Sequence, residues 1–238
     1  MDVVVLAGGL GTRLRSRLSE LPKPMAPVAG RPFLEYLLDR LVAGGFERIT
    51  LSVGYRADAI QDHFRDEYRG ARIDYSVESQ PLGTGGATAF ACDRLSGSPC
   101  LVLNGDTFLD IDFRKLVDWY RQEPEDLAMT LVKVPDLARY GAVQVGGGRV
   151  TGFTAKGAPG AGSINAGVYF IEPRVFQRFG LSGRFSLESD LLQAHCAELR
   201  PRAFVSDAFF IDIGVPEDFD RAQQLFAATG PGRPGAAA

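Results

Sequence analysis

Cysteine, histidine and tryptophan are scarce in this sequence of 238 residues, which holds three, two and one of them. Cys92, Cys100 and Cys196 show no CxxC or paired spacing, which argues against a disulfide scaffold and a thiolate metal site and fits a reducing cytoplasm. Two histidines are too few for a histidine-built zinc site. His63 falls in a polar helical stretch and reads as a surface residue, while His195 near the end of another helix reads as a packing or capping residue. Long apolar runs are missing, so no membrane span is expected. No charge of one sign accumulates either: 26 Lys and Arg against 29 Asp and Glu leave a net −3, which offers nucleic acid no basic scaffold. No leader is expected, because an apolar strand begins at once. Internal repeats are absent, including any hexapeptide periodicity of a left-handed β-helix.

A hydrophobic content of 45% supports one sizeable core. The expected domain covers residues 1–228, followed by a Gly/Pro/Ala tail over 229–238 read as disordered. Strand and helix signals alternate. Val3, Val4, Val5 and Leu6 form a continuous apolar run with β-branched residues, suited to a strand buried on both faces. Phe33, Leu34, Leu37, Leu38, Leu41 and Val42 recur at helical spacing before Gly44-Gly45 stops the helix. Strands follow at 49–53, 73–77, 101–103, 127–134 and 209–213, with helices at 57–64, 85–92, 113–121, 186–195 and 216–227. This is a doubly wound α/β pattern. Between 136 and 172 the texture changes to short strands around Gly146-Gly147-Gly148, and a hairpin-rich lobe over one end of the sheet is expected.

Three segments carry chemistry. The turn after the first strand holds Gly8, Gly9 and Gly11, where backbone N–H groups can approach phosphate oxygens, and then Arg13, a charged fork suited to phosphate. It is not a Walker loop, because Arg13 and Leu14 follow Thr12 where Lys and Ser/Thr belong. Nor is it a dinucleotide fingerprint, whose third glycine would stand at Leu14. Lys23, held between Pro22 and Pro24, is a lysine pre-set at small conformational cost. Each feature alone also reads plainly, as a glycine-rich turn and an exposed lysine.

The second segment pairs Asp106, in LNGDT, with Asp212, in FIDIG. Each follows an apolar strand, where α/β proteins bind ligands, and two carboxylates plus substrate phosphates suit Mg²⁺. Asp110 and Asp112 alternate nearby and could instead belong to a loop or cap the next helix. The third segment, ESQPLGTGGA, turns from strand to helix where a nucleobase could lie. Gln80 offers donors and acceptors, and Gly83 allows close approach of a base edge.

With GGLGTRL, PKPMAPVAGRPFLEYLL, ESQPLGTGGA, LNGDTF, RYGAV, INAGVYF and FIDIGVPEDF in place, the chain resembles the sugar-1-phosphate nucleotidyltransferase family over nearly its whole length. The combination GTRLRS, PFLEYLL, LNGDTF and FIDIGVPEDF points to the branch that takes GTP and a heptose 1-phosphate, and branches taking mannose 1-phosphate share much of it. The resemblance implies a Rossmann-like three-layer α/β fold with a mixed sheet and a small sugar-binding lobe. It implies that Leu6, Ala7, Gly8, Gly9, Gly11, Thr12 and Arg13 bind the nucleotide, with Gly8, Gly9, Gly11 and Arg13 on its triphosphate, that Lys23 contacts the reacting phosphates, and that Asp106 and Asp212 hold Mg²⁺. Gln80, Gly83 and Thr84 fall where the family reads the base; Gly141, Lys156, Asn165 and Glu188 fall around the sugar phosphate. One departure stands at Ala155, where the family often carries a glutamate that binds sugar hydroxyls.

The implied partners are two small molecules, an NTP and a sugar 1-phosphate, with no nucleic acid and no membrane; homo-oligomerisation is left open. Two readings of other classes compete. A catalytically silent nucleotide-sugar-binding subunit would have no need of Arg13, Lys23, Asp106 and Asp212 together. A glycosyltransferase would use Asp110-Ile111-Asp112 as its metal motif, but leaves the glycine loop and Lys23 unexplained. A thymidylyltransferase acting on glucose 1-phosphate is a neighbouring alternative within the family.

Overall fold

The computed structural model of the protein describes residues 1–9, 11, 21–95 and 99–229. Thr12, Arg13 and the tail beyond 229 lie outside the described residues. In chain order the elements are β1 (Asp2–Leu6), β2 (Pro27–Val28), β3 (Arg31–Pro32), α1 (Phe33–Ala43), β4 (Arg48–Val53), α2 (Ala57–Phe64), β5 (Glu67–Tyr68), β6 (Ala71–Val77), α3 (Gly83–Cys92), β7 (Cys100–Asn104), β8 (Thr107–Leu109) and α4 (Phe113–Gln122). They continue as β9 (Leu127–Val134), β10 (Gly141–Gly146), β11 (Arg149–Lys156), β12 (Gly162–Ile171), α5 (Arg174–Arg178), a π-helix (Leu187–Gln193), α6 (Cys196–Leu199), β13 (Arg202–Ser206), β14 (Phe210–Asp212) and α7 (Pro216–Thr229).

Among the described residues the main sheet has ten strands in the order β10-β11-β13-β9-β12-β7-β1-β4-β6-β5. The apolar run of β1 takes the centre, parallel to both β4 and β7, and Val3, Val4 and Val5 are buried. Because side chains alternate across a strand, Val3 and Val5 enter the core shared with α1, α2 and α4, while Val4 enters the one shared with α3, α5 and the π-helix. Three layers follow. Each buried Leu of α1 contributes roughly 1.5–3 kcal/mol of burial, which anchors that helix through Leu34, Leu37, Leu38 and Leu41. The sheet becomes mixed at β12, which runs antiparallel to β7 and β9.

One expectation is refined and one needs correction. The β10–β11 hairpin lies at one end of the sheet, held by single bridges, Ala142 to Ile164 and Arg149 to Arg202, while β12 runs in the middle of the sheet. The helix expected at 186–195 is a π-helix, capped by Ser186, whose Oγ accepts from Ser189 N. No helix among the described residues is long and apolar enough to cross a membrane.

Asp112 caps α4, its Oδ1 accepting from Arg114 N and Lys115 N, and Asp110 pairs with Arg40 at 2.9 Å. The fold therefore engages both carboxylates of the would-be glycosyltransferase motif. His63 Nε2 lies 2.8 Å from Glu35 Oε1, and His195 stacks on Phe179 at 4.2 Å.

Burial pulls the Glu35 carboxyl upward, but hydrogen bonds to His63 and Arg31 outweigh it and hold the group below its ordinary 4.5. A depressed folded pKa means the unfolded chain binds more protons, so this stabilisation is present above pH 4.5 and is lost as pH falls through the folded value. Glu35→Gln is expected to cost about 1–2 kcal/mol near pH 6 and to flatten the acid loss below pH 4.5 in a series of thermal melts. A variant curve parallel to the wild type would contradict the assignment.

Candidate active site

Register decides what meets at the C-terminal ends of the parallel strands. Leu6 is level with Asn104 and Ser52, and Val53 is level with Val77, so the turn at Gly8-Gly9, the residues after β7 and Glu78 share one end of the sheet. Beyond β7, the ribbon of β8 with β14 sets Asp212 opposite Thr107, and Ile213 N donates to Asp106 O. Two aspartates far apart in sequence thereby become neighbours.

Lys23 opens a 3-10 turn, Lys23–Met25, reached through Pro22 in an extended conformation. Its Nζ lies 2.5 Å from Asp106 Oδ2 and 3.4 Å from Asp212 Oδ1. With the lysine side chain only 12% exposed, the ammonium is committed to this pair rather than to bulk water. Burial first, and the Asp106 charge second, push the Asp212 carboxyl above its ordinary range despite Lys23. The Asp106 charge makes ionisation of Asp212 more costly, so the pair has room for more positive charge than one lysine supplies. Among the described residues no three His, Cys, Asp or Glu side chains cluster as a metal cage. The pair nevertheless suits Mg²⁺, a hard cation that takes one or two carboxylates and completes its shell with water and substrate phosphates.

A cavity of about 290 Å³ adjoins the pair, lined by Leu6, Gly8, Gly9, Lys23, Asp106, Gly83 and Thr84 among the expected residues. Gly11 also belongs here, since a Cβ on it would lie 2.9 Å from that of Lys23. Ala7 does not face the cavity. It is buried, with its N–H donating to Ser52 O.

Gln80 is exposed and does not line the cavity; Glu78, two residues earlier, does. Glu78 Oε2 accepts from Leu82 N at 3.0 Å and its Oε1 from Ser52 Oγ at 3.5 Å. Burial raises its carboxyl pKa, and these two hydrogen bonds only partly offset that. Among the described residues no cation pairs with it. Sequence reading passes over Glu78 because a carboxylate at a strand end looks like ordinary solvated polarity. Ser52, Asn104 and Arg184 also line the cavity without a local sequence signal.

Thr84 lines the cavity, but its hydroxyl is spent on the fold: Oγ1 donates to Glu188 Oε2 at 2.6 Å and accepts from Leu187 N. Glu188 is held in turn by Ser186 Oγ and by the buried Tyr169 hydroxyl, to which Asn165 Nδ2 donates at 2.6 Å. Thr84, Glu188, Tyr169 and Asn165 thus form one chain of hydrogen bonds from α3 to β12. Gly141 and Lys156 are level with each other on the hairpin, Lys156 exposed, and neither lines the cavity.

Residues 2–229 match the nucleotidyl transferase family. The chain is 41% identical to D-glycero-alpha-D-manno-heptose 1-phosphate guanylyltransferase of Aneurinibacillus thermoaerophilus, over 94% of this chain and 97% of that protein. It is 40% identical to the protein of that name from Campylobacter jejuni, over 92% and 97%. A crystal structure of HddC from Yersinia pseudotuberculosis complexed with GMP-PN matches with a TM-score of 0.83 at 39% identity, over 94% of this chain and 98% of that one.

Proposed function

The chain belongs to the nucleotidyl transferase family, and from that premise we propose that it transfers GMP from GTP to D-glycero-α-D-manno-heptose 1-phosphate, forming GDP-heptose and pyrophosphate. The observation that carries the guanine assignment is Glu78. Guanine presents two neighbouring donors, N1–H and the 2-amino group, and a carboxylate with a free lone pair on each oxygen accepts both. Thymine and uracil present one N–H flanked by carbonyl oxygens that a carboxylate repels, and adenine presents no donor at N1. Glu78 sits in the cavity with its remaining acceptor capacity unclaimed by any cation among the described residues.

The chemistry needs no protein nucleophile. An oxygen of the sugar phosphate, already anionic, attacks the α-phosphorus of GTP in line. The new P–O bond forms as the bond from the α-phosphorus to the bridging oxygen breaks, and the electron pair leaves with pyrophosphate. Repulsion between two polyanions is the obstacle, so positioning and charge neutralisation carry the catalysis. Lys23 is the cation assigned to that task within the described residues, and Arg13 is assigned beside it from its place in the glycine-rich turn. Asp106 and Asp212 would hold Mg²⁺, which when bound neutralises phosphate charge in the transition state.

Glu78→Gln tests the reading. It replaces one acceptor oxygen by a donor, and the ratio of kcat/KM for GTP over dTTP is expected to fall at least about tenfold, the smaller end of what one charge-assisted hydrogen bond contributes. An unchanged ratio in active enzyme would remove Glu78 from base selection.

A further inference from the structure

Asn104, the last residue of β7, carries an amide that the fold holds without using. Its Oδ1 is buried, and among the described residues neither end of the amide has a hydrogen-bond partner. The fold's own hydrogen bonds therefore leave the cavity-facing end of the amide free to meet a partner outside the chain. The side chain lines the cavity, and with Oδ1 sealed the group is offered to it through Nδ2.

The surroundings are shaped around this amide. Opposite it, the pairing of β12 with β9 slips between Asn165 and Tyr169, and Gly167 within that bulge has φ of 71°. A Cβ at Gly167 would lie 2.8 Å from Asn104 Nδ2 and 3.1 Å from its Cγ, so only glycine leaves the amide room. Asn165 closes the bulge by accepting from Gly167 N at 3.0 Å. The amide therefore stands against β12, away from Glu78, which lies past β1 and β4 in the sheet order. An N–H donor on that side fits a hydroxyl oxygen of the acceptor sugar, not the nucleotide.

We propose that Asn104 is a sugar-specificity residue whose Nδ2 donates to a hydroxyl of the sugar 1-phosphate. This rests on the nucleotidyl-transfer reading, but not on which sugar is the natural one. Asn104→Leu keeps the side-chain size and removes the donor; Asn104→Ala removes it with no demand on packing. In steady-state assays with the full-length protein, both variants are expected to lower kcat/KM for the sugar 1-phosphate about tenfold or more, mainly through KM, with KM for GTP within twofold of wild type. Singly deoxygenated sugar 1-phosphates locate the hydroxyl: one of them should be a poor wild-type substrate that the variants use as well as the parent sugar. Equal losses toward both substrates, a change in KM for GTP alone, or no change in either variant would overturn the assignment. Wild-type protein that transfers nucleotide to no sugar 1-phosphate would overturn the underlying reading as well, so the two failures are told apart by the wild-type control.

Discussion

Lys23→Met is expected to lower turnover at least about a hundredfold, the scale lost when one preorganised charge partner is removed from a phosphate-transfer site. Methionine keeps the apolar stem that packs in the 3-10 turn, so the loss isolates the ammonium. The same ammonium stands 2.5 Å from Asp106 and 3.4 Å from Asp212, and it is the described cation nearest both carboxylates. Lys23→Arg is not expected to rescue. Gly11 and Gly214 bound the side chain closely on two sides, a Cβ on them coming within 2.9 Å of the lysine Cβ and 3.1 Å of its Nζ, and a planar guanidinium does not replace a compact ammonium between Asp106 and Asp212. Pyrophosphate release by either purified variant within tenfold of wild type would contradict the role given to Lys23.

Asp106→Asn and Asp212→Asn are each expected to reduce turnover by at least about a hundredfold and to move the Mg²⁺ activation curve to higher concentration. The two residues are expected to act as a unit, so the double variant should lose little beyond the worse single one. Thermal stabilisation by GTP with Mg²⁺ gives a second readout that does not depend on turnover, and it should shrink in both variants while stabilisation by GTP without metal should not. Unchanged Mg²⁺ dependence in either variant would separate that carboxylate from the metal. Asp212 carries the extra interest that burial and Asp106 already push its carboxyl upward, so removing the Asp106 charge should lower it.

The fold was legible where the pattern was local and strong. The apolar run at β1, the helical spacing of α1 and the alternation down to β9 all follow from burial on known faces, and their ends agree to within about two residues. Less could be read where tertiary pairing decides. β13 has no pattern that distinguishes it from a loop, yet it pairs in parallel with β9 and carries the hairpin's bridge at Arg202. The π-helix has the composition of an ordinary helix, and its contacts with α3 through Thr84 leave no mark in the local pattern.

The site divides in the same way. Lys23, Asp106 and Asp212 were readable because proline pairs and strand ends mark them, and the β8–β14 ribbon brings them together. In the base-reading segment an amide looks more like a base reader than a glutamate does, so the sequence points to Gln80; the proposed contact at Glu78 comes from the cavity, which Glu78 lines and Gln80 does not. Glu188 and Thr84 look like ligand contacts in sequence, whereas here their polar atoms hold α3, the π-helix and β12 together. The glycines of GTGG likewise serve packing as much as ligand approach: a Cβ at Gly85 would lie 2.2 Å from the Phe185 ring.

Pyrophosphate release from the purified protein with Mg²⁺, measured across GTP, dTTP, UTP, ATP and CTP against heptose, mannose, glucose and N-acetylglucosamine 1-phosphates, tests guanylyl transfer most directly. The account predicts release that peaks with GTP and D-glycero-α-D-manno-heptose 1-phosphate. Release of a nucleoside diphosphate in place of pyrophosphate, a peak with another base, or silence across every pair would contradict it.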